Sequence, residues 1–174
     1  MRLFIAIDLP ENVKEYLRKL QASLPSANMS RARDFHLTLK FLGECGEALR
    51  GKVEEELKQI HFQPFEAELG EIGAFGGKNP SAVWVGLKIP QELYKIVCDI
   101  ETGLNQLGFP PAGVFVPHIT LARVKFVKDP ETFIEQLKGI KIESMKFKVA
   151  KFYLFESKLS SSGAEHIKLA EFGR

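Results

Sequence analysis

The sequence predicts an α+β protein made of two similar lobes packed about a pseudo-two-fold axis. Three observations carry that expectation. Apolar strand-like runs alternate with amphipathic helical stretches along the 174 residues. The same order of elements occurs twice, and the halves align at an offset of about 80 residues. A unit of that length is too long for a solenoid repeat and reads as a duplicated lobe.

The elements follow in order. Arg2 to Leu9 reads as a buried strand closed by Pro10. Val13, Tyr16, Leu17, Leu20 and Leu24 then recur at helical spacing, with the proline near the first turn. Phe35 to Leu42 is the next strand, ended by Gly43, and Leu49, Val53, Leu57 and Ile60 mark a second helix. Phe65 to Phe75 is read as one or two strands with glycine bends. The second half begins with the strand Ala82 to Ile89, closed by Pro90. Leu93, Ile96, Val97, Ile100, Leu104 and Leu107 give its first helix. Val114 to Val124 is a strand, Pro130 to Lys138 a short helix, and Ile140 to Glu156 one or two strands. A final short strand spans about His166 to Ala170.

Subtracting 80 pairs Phe4 with Trp84, Ala6 with Gly86, Pro10 with Pro90, and Leu17 with Val97. After a two-residue shift, an offset of 82 pairs His36 with His118, Thr38 with Thr120 and Phe65 with Phe147. The expected organisation is a single bilobal domain over 1–174, duplicated as about 1–78 and 79–174, with room for the lobes to exchange terminal strands.

Composition bounds the function classes. Hydrophobic content of 45% with 26% charged residues is ordinary for a folded domain. A net charge of +2 does not by itself point to nucleic acid. Arg31, Arg33, Lys40, Arg123 and Lys125 do cluster near the histidine segments, where a local basic footprint or plain solvated strand ends would both account for them. Cys45 and Cys98 form no CxxC pair, which suits a reduced, intracellular chain. No apolar run approaches the roughly 20 residues of a spanning helix, and MRLFIAIDLP is too short for a secretory signal. A cytoplasmic monomer with no membrane partner is expected.

The chemistry sits in two stretches, DFHLTLKFLG (34–43) and FVPHITLARV (115–124). Residues i and i+2 of a strand share a face, so His36 lies beside Thr38 and His118 beside Thr120. Leu37, Leu39 and Phe41 fall on the opposite face of the first strand, which assigns Phe41 to the core. One His-x-Thr pair is ordinary. Two among only four His and four Thr arise by chance in roughly 0.3% of shuffles. Two imidazoles facing one cleft suit general acid–base work, since one can be neutral while the other is protonated. Thr hydroxyls can hold phosphate oxygens, and an Arg can neutralise developing charge. Zinc needs three or four ligands; His61 and His166 stand in no ligand-like spacing, so no metal and no cofactor is expected. Nucleophilic Ser or Cys catalysis lacks a motif.

HLTL and HITL about eighty residues apart resemble the paired signature motifs of the 2H phosphoesterase superfamily. RLFIAIDLP, HLTLKFLGE and PHITLAR are similar to its branch of RNA 2′,3′-cyclic phosphodiesterases, historically 2′-5′ RNA ligases. The resemblance covers nearly the whole chain. It implies two antiparallel sheets with helices on their outer faces and a catalytic cleft between them, together with opening of a terminal 2′,3′-cyclic phosphate to a 2′-phosphate. Carried over residue by residue, His36 would be the proton donor, His118 the proton acceptor, Thr38 and Thr120 the phosphate holders, and Arg123 a substrate-binding residue. Strict alternation, however, places Ala122 rather than Arg123 on the His118 face, so a bulge, a strand twist or the length of the side chain must bring it back. The end of the chain, ESKLSSSGAEH, departs from the family pattern by carrying His166 where an aromatic often stands. The implied partners are RNA ends or nucleoside cyclic phosphates, tRNA fragments among them. Reversible 2′-5′ joining of RNA ends would use the same cleft. The alternative from another class is a non-catalytic module that binds RNA-end phosphate.

Overall fold

The computed structural model describes residues 1–161 and 163–173. The first half contributes β1 (Arg2–Asp8), α1 (Glu11–Ala22), β2 (Asn28–Arg31), β3 (His36–Glu44), α2 (Glu47–Leu57) and β4 (Phe65–Phe75). The second contributes β5 (Ala82–Lys88), α3 (Gln91–Asn105), β6 (His118–Phe126), α4 (Pro130–Lys138), β7 (Lys146–Val149), β8 (Phe152–Ser160) and β9 (Gly163–Phe172). The strands form two antiparallel sheets, ordered β3-β1-β8-β9 and β2-β6-β5-β4-β7. Among the described residues no helix is long and apolar enough to cross a membrane.

Each sheet buries one face under helices. Leu3, Ile5 and Ile7 of β1 join Val13, Leu17 and Leu20 of α1 in a continuous core that also holds Val83 and Val85 of β5 and Ile96 and Ile100 of α3. Alternation sends Phe4 and Ala6 to the opposite face, where with Phe155 they form a second, small cluster. The faces turned away from the helices border the cleft between the lobes.

Strand partners cross between the halves. β4 pairs with β5, and β8 pairs with β1. Between them, Phe65 to Glu68 run antiparallel to Lys146 to Val149, with Glu66 opposite Lys148. These two residues are 82 positions apart, the same offset that relates the two His-x-Thr pairs. The pairing therefore maps onto itself when the halves are exchanged.

Several sequence expectations need correction. β3 does not stop at Gly43; it continues to Glu44 with Gly43 at φ +73, because Leu3 and Arg2 still offer ladder partners there. β6 begins only at His118, since three prolines precede it and cannot donate to a ladder. β2 escaped notice because NMSR is short, polar and mostly exposed. β9 is ten residues long rather than a short terminal strand, and it pairs with β8 over its whole length. The β1/β5 alignment also shifts by two: Ala6 lies opposite Thr38, whereas Trp84, not Gly86, lies opposite Thr120. A slip of two preserves the face, so the pattern survived the error.

Lys40 contradicts its expected place in a basic footprint. It is 5% exposed, bonds Glu101 of α3 at 2.5 Å and donates to the Pro110 carbonyl at 2.9 Å. It thereby ties β3 to the segment leading into β6. Removing one partner of a buried pair strands the other charge. Lys40→Met should lower unfolding free energy by about 3–5 kcal/mol in urea titrations. Adding Glu101→Leu should recover a large part of that loss.

Candidate active site

β3 and β6 touch although they belong to different sheets, and each carries one His-x-Thr pair. In both strands a bulge changes which residues face the cleft. On β3, Ile5 lies opposite Lys40 and Ala6 opposite Thr38, so Leu39 is the extra residue. On β6, Val83 lies opposite Ala122 and Trp84 opposite Thr120, so Leu121 is extra. Leu39 and Lys40 are consecutively buried, as are Leu121 and Ala122. Alternation therefore resumes one residue late. Arg123 returns to the His118–Thr120 side, as the resemblance required and strict alternation forbade.

The same shift corrects Phe41. It was assigned to the core, yet it is 68% exposed and packs 6.0 Å from Phe4 on the cleft face. Phe41 and Arg123 are 82 positions apart, so they occupy corresponding places on the two walls.

The β6 bulge is held by a residue that sequence reasoning missed. Gln21 of α1, 7% exposed, donates through Nε2 to the carbonyls of Leu121 at 2.7 Å and Ala32 at 2.9 Å. The Leu121 carbonyl also accepts the Ala32 N–H at 2.8 Å. These bonds satisfy the carbonyl of the extra residue. A glutamine on the apolar stripe of an amphipathic helix was the available signal.

The two histidines have unlike surroundings. His36 packs against the stacked pair Phe4 and Phe155, at ring separations of 5.0 and 6.1 Å, and meets His166 edge-on at 4.9 Å. Burial, and then the neighbouring His166, push its pKa down to about 4. His36 is therefore neutral near pH 7, and its Nδ1 is buried without a hydrogen-bond partner. His118 packs edge-on against Phe75 at 4.9 Å and near Trp84 at 6.4 Å. Its Nδ1 lies 2.7 Å from the Val116 carbonyl. A carbonyl only accepts, so this contact places the proton on Nδ1 and leaves the Nε2 lone pair free in the neutral ring. Trp84 in turn lies across Gly73, where a Cβ would come within 2.6 Å of the indole.

His166 was set aside on spacing alone, and that argument fails. The first sheet curls so that β9, although three strands from β3 in order, carries His166 onto His36 and within 5.1 Å of Phe4. Burial also pushes the His166 pKa down. His61 is exposed just after α2, apart from this cluster. Asp8, opposite His36 in the ladder, is driven up by burial but held below its usual range by Lys14 and Lys168.

The low proton affinity of His36 has a consequence for stability. The unfolded chain takes up a proton near pH 6.5, whereas the folded chain does so only near 4. Stability is therefore lost as pH falls through that window, by about 3 kcal/mol from this residue. Chemical denaturation from pH 7 to pH 4 should show a loss of that order that His36→Phe lacks.

The family model described as LigT like Phosphoesterase matches residues 7–85 and again 87–164. An RNA 2′,3′-cyclic phosphodiesterase of Archaeoglobus fulgidus is 36% identical over 135 residues, covering 75% of this chain and 76% of that protein. One from Methanocaldococcus jannaschii is 33% identical over 168 residues, covering 94% and 95%. Among solved structures, a Thermus thermophilus protein superposes with TM-score 0.82 at 25% identity, covering 99% of this chain and 97% of that one. Escherichia coli LigT complexed with 3′-AMP gives 0.81 at 24% identity, covering 98% and 95%, a likeness of fold. The two matched segments together span most of the sequence, and the chain belongs to the LigT-like phosphoesterase family, within the 2H superfamily.

Proposed function

We propose that this protein hydrolyses terminal 2′,3′-cyclic phosphates of RNA or nucleotides to 2′-phosphates, without a metal, by two-histidine acid–base catalysis. The observation that carries the reading is the pair of matching bulges. They bring Phe41 back to the face of β3 that carries His36 and Thr38, and Arg123 back to the face of β6 that carries His118 and Thr120. The activity named for relatives at 36% and 33% identity supports the substrate class. The two family matches and the self-mapping ladder at Glu66 and Lys148 support a duplicated bilobal chain that exchanges strands.

In this reading His118 is the base. Its Nδ1–H is engaged by the Val116 carbonyl, so Nε2 accepts a proton from the attacking water. His36 protonates the departing 3′ oxygen. A donor with a pKa of about 4 is almost unprotonated at pH 7, and the substrate itself supplies the remedy. A phosphodiester anion about 4 Å away is worth roughly 4 kcal/mol at an effective dielectric near 20. That is about three pKa units, which returns His36 to near 7 once the anion is bound. Thr38 and Thr120 hold the non-bridging oxygens, and Arg123 offsets the charge that grows on them. With a 5′-hydroxyl in place of water as the nucleophile, the same cleft would reversibly join RNA ends through a 2′-5′ bond, the 3′ oxygen again leaving with the proton from His36.

Hydrolysis of a nucleoside 2′,3′-cyclic phosphate should proceed undiminished in EDTA. His36→Ala and His118→Ala should each lower kcat/KM by about 10²–10⁴. Either variant retaining the parent rate would remove the mechanism.

The pH profiles should also differ. The free enzyme governs kcat/KM and the bound complex governs kcat, and each bell belongs to the histidine pair together. The low-pH limb of kcat/KM is expected near 4, with that of kcat at higher pH. Coincident limbs would show that bound phosphate leaves the proton affinity of His36 unchanged.

A further inference from the structure

Asp34, His36 and His166 each offer one ligating atom, and these three atoms all lie within 4.8 Å of one another. We propose that they bind a single divalent transition-metal ion of the zinc class, and that its occupancy inhibits the enzyme by taking His36 out of acid–base chemistry. The inhibitory half of this inference rests on the function proposed above; the metal site itself stands on geometry alone.

The donor set fits. Two imidazoles and a carboxylate suit zinc, cobalt, nickel or copper rather than magnesium or calcium, which prefer an all-oxygen shell. Both imidazoles have a buried Nδ1 without a hydrogen-bond partner among the described residues. The two rings also meet directly, edge-on at 4.9 Å, so one ion can reach both. Asp34 engages Lys14 through Oδ1 at 2.8 Å, which orients the carboxylate and leaves its other oxygen for a cation. The charge of Lys14 is shared with Asp8 at 2.7 Å, so it does not stand uncompensated beside the ion.

Distances and access also agree. Metal–ligand bonds of about 2.0–2.1 Å at tetrahedral angles place ligand atoms roughly 3.3 Å apart. The cluster must therefore contract by at most about 1.5 Å, through side-chain rotation of Asp34, which is partly exposed, and of the two imidazoles. An open depression of about 490 Å³, lined by Arg33, Asp34, Ser160, Glu165 and His166 among others, gives an ion a route in. Three protein ligands leave a fourth position for water. An imidazole bound to a metal has one nitrogen committed and cannot become the doubly protonated ring that acts as the acid. Spacing in the chain gives no hint of this site, because His166 follows His36 by 130 positions.

The experiment uses the full chain stripped with EDTA and dialysed. Co²⁺ is titrated in while visible d–d bands are followed, and Zn²⁺ binding is measured by calorimetry. One ion per chain is expected. His166→Gln and Asp34→Asn should each weaken Co²⁺ and Zn²⁺ binding at least about tenfold. The Zn²⁺ concentration that halves hydrolysis, taken relative to each protein's own rate in EDTA, should rise by the same factor. Absence of d–d bands, or binding that neither variant changes, overturns the site. Full hydrolysis by zinc-saturated protein overturns the inhibition. A protein that binds Co²⁺ in the expected pattern but hydrolyses no cyclic phosphate in EDTA keeps the metal site and overturns the phosphodiesterase reading instead.

Discussion

One constraint governs the cleft: a strand carrying His-x-Thr can present the third residue after its threonine to the same side only by taking in an extra residue. The extra residues are Leu39 and Leu121. Each puts two consecutive side chains into the core and returns alternation to the cleft one position late. The gain differs between the walls. On β6 it brings back a guanidinium, Arg123; on β3 it brings back an aromatic ring, Phe41. One repeated backbone device thus gives a charged wall and an apolar wall.

Supports for the two bulges come from outside their own strands. Leu121 has its carbonyl satisfied by Gln21 and by the Ala32 N–H. Lys40, turned inward by the β3 bulge, is paired with Glu101 and bonded to the Pro110 carbonyl. A buried amide and a buried ion pair are costly unless fully satisfied. Both therefore fix the strands that carry the histidines to the helices and loop behind them.

The histidines illustrate how environment separates two chemically equal groups. The sequence offered no reason to distinguish them, since each stands two residues before a threonine in matching frames. In the fold, His36 is enclosed by Phe4, Phe155 and His166, which penalises its charged form. His118 lies nearer the surface with its Nδ1 committed to a backbone carbonyl. In the proposed reaction these surroundings would make His36 an acid that gains its proton when an anion arrives and His118 a base with a fixed tautomer. The curl that encloses His36 also delivers His166 to it, beside Asp34 two residues earlier in the chain.

By itself the sequence determined the order of elements, the duplicated pattern, and the placement of His36 with Thr38 and of His118 with Thr120. Those depend on local periodicity, which a single chain displays directly. Only the tertiary structure decided the faces of Lys40, Phe41 and Arg123, because a bulge is defined by the register against a neighbouring strand. It alone placed the polar strand β2, whose pairing with β6 supplies what its own residues do not signal. It alone brought β9 over β3, since sheet curl sums small twists across strands that are remote in sequence.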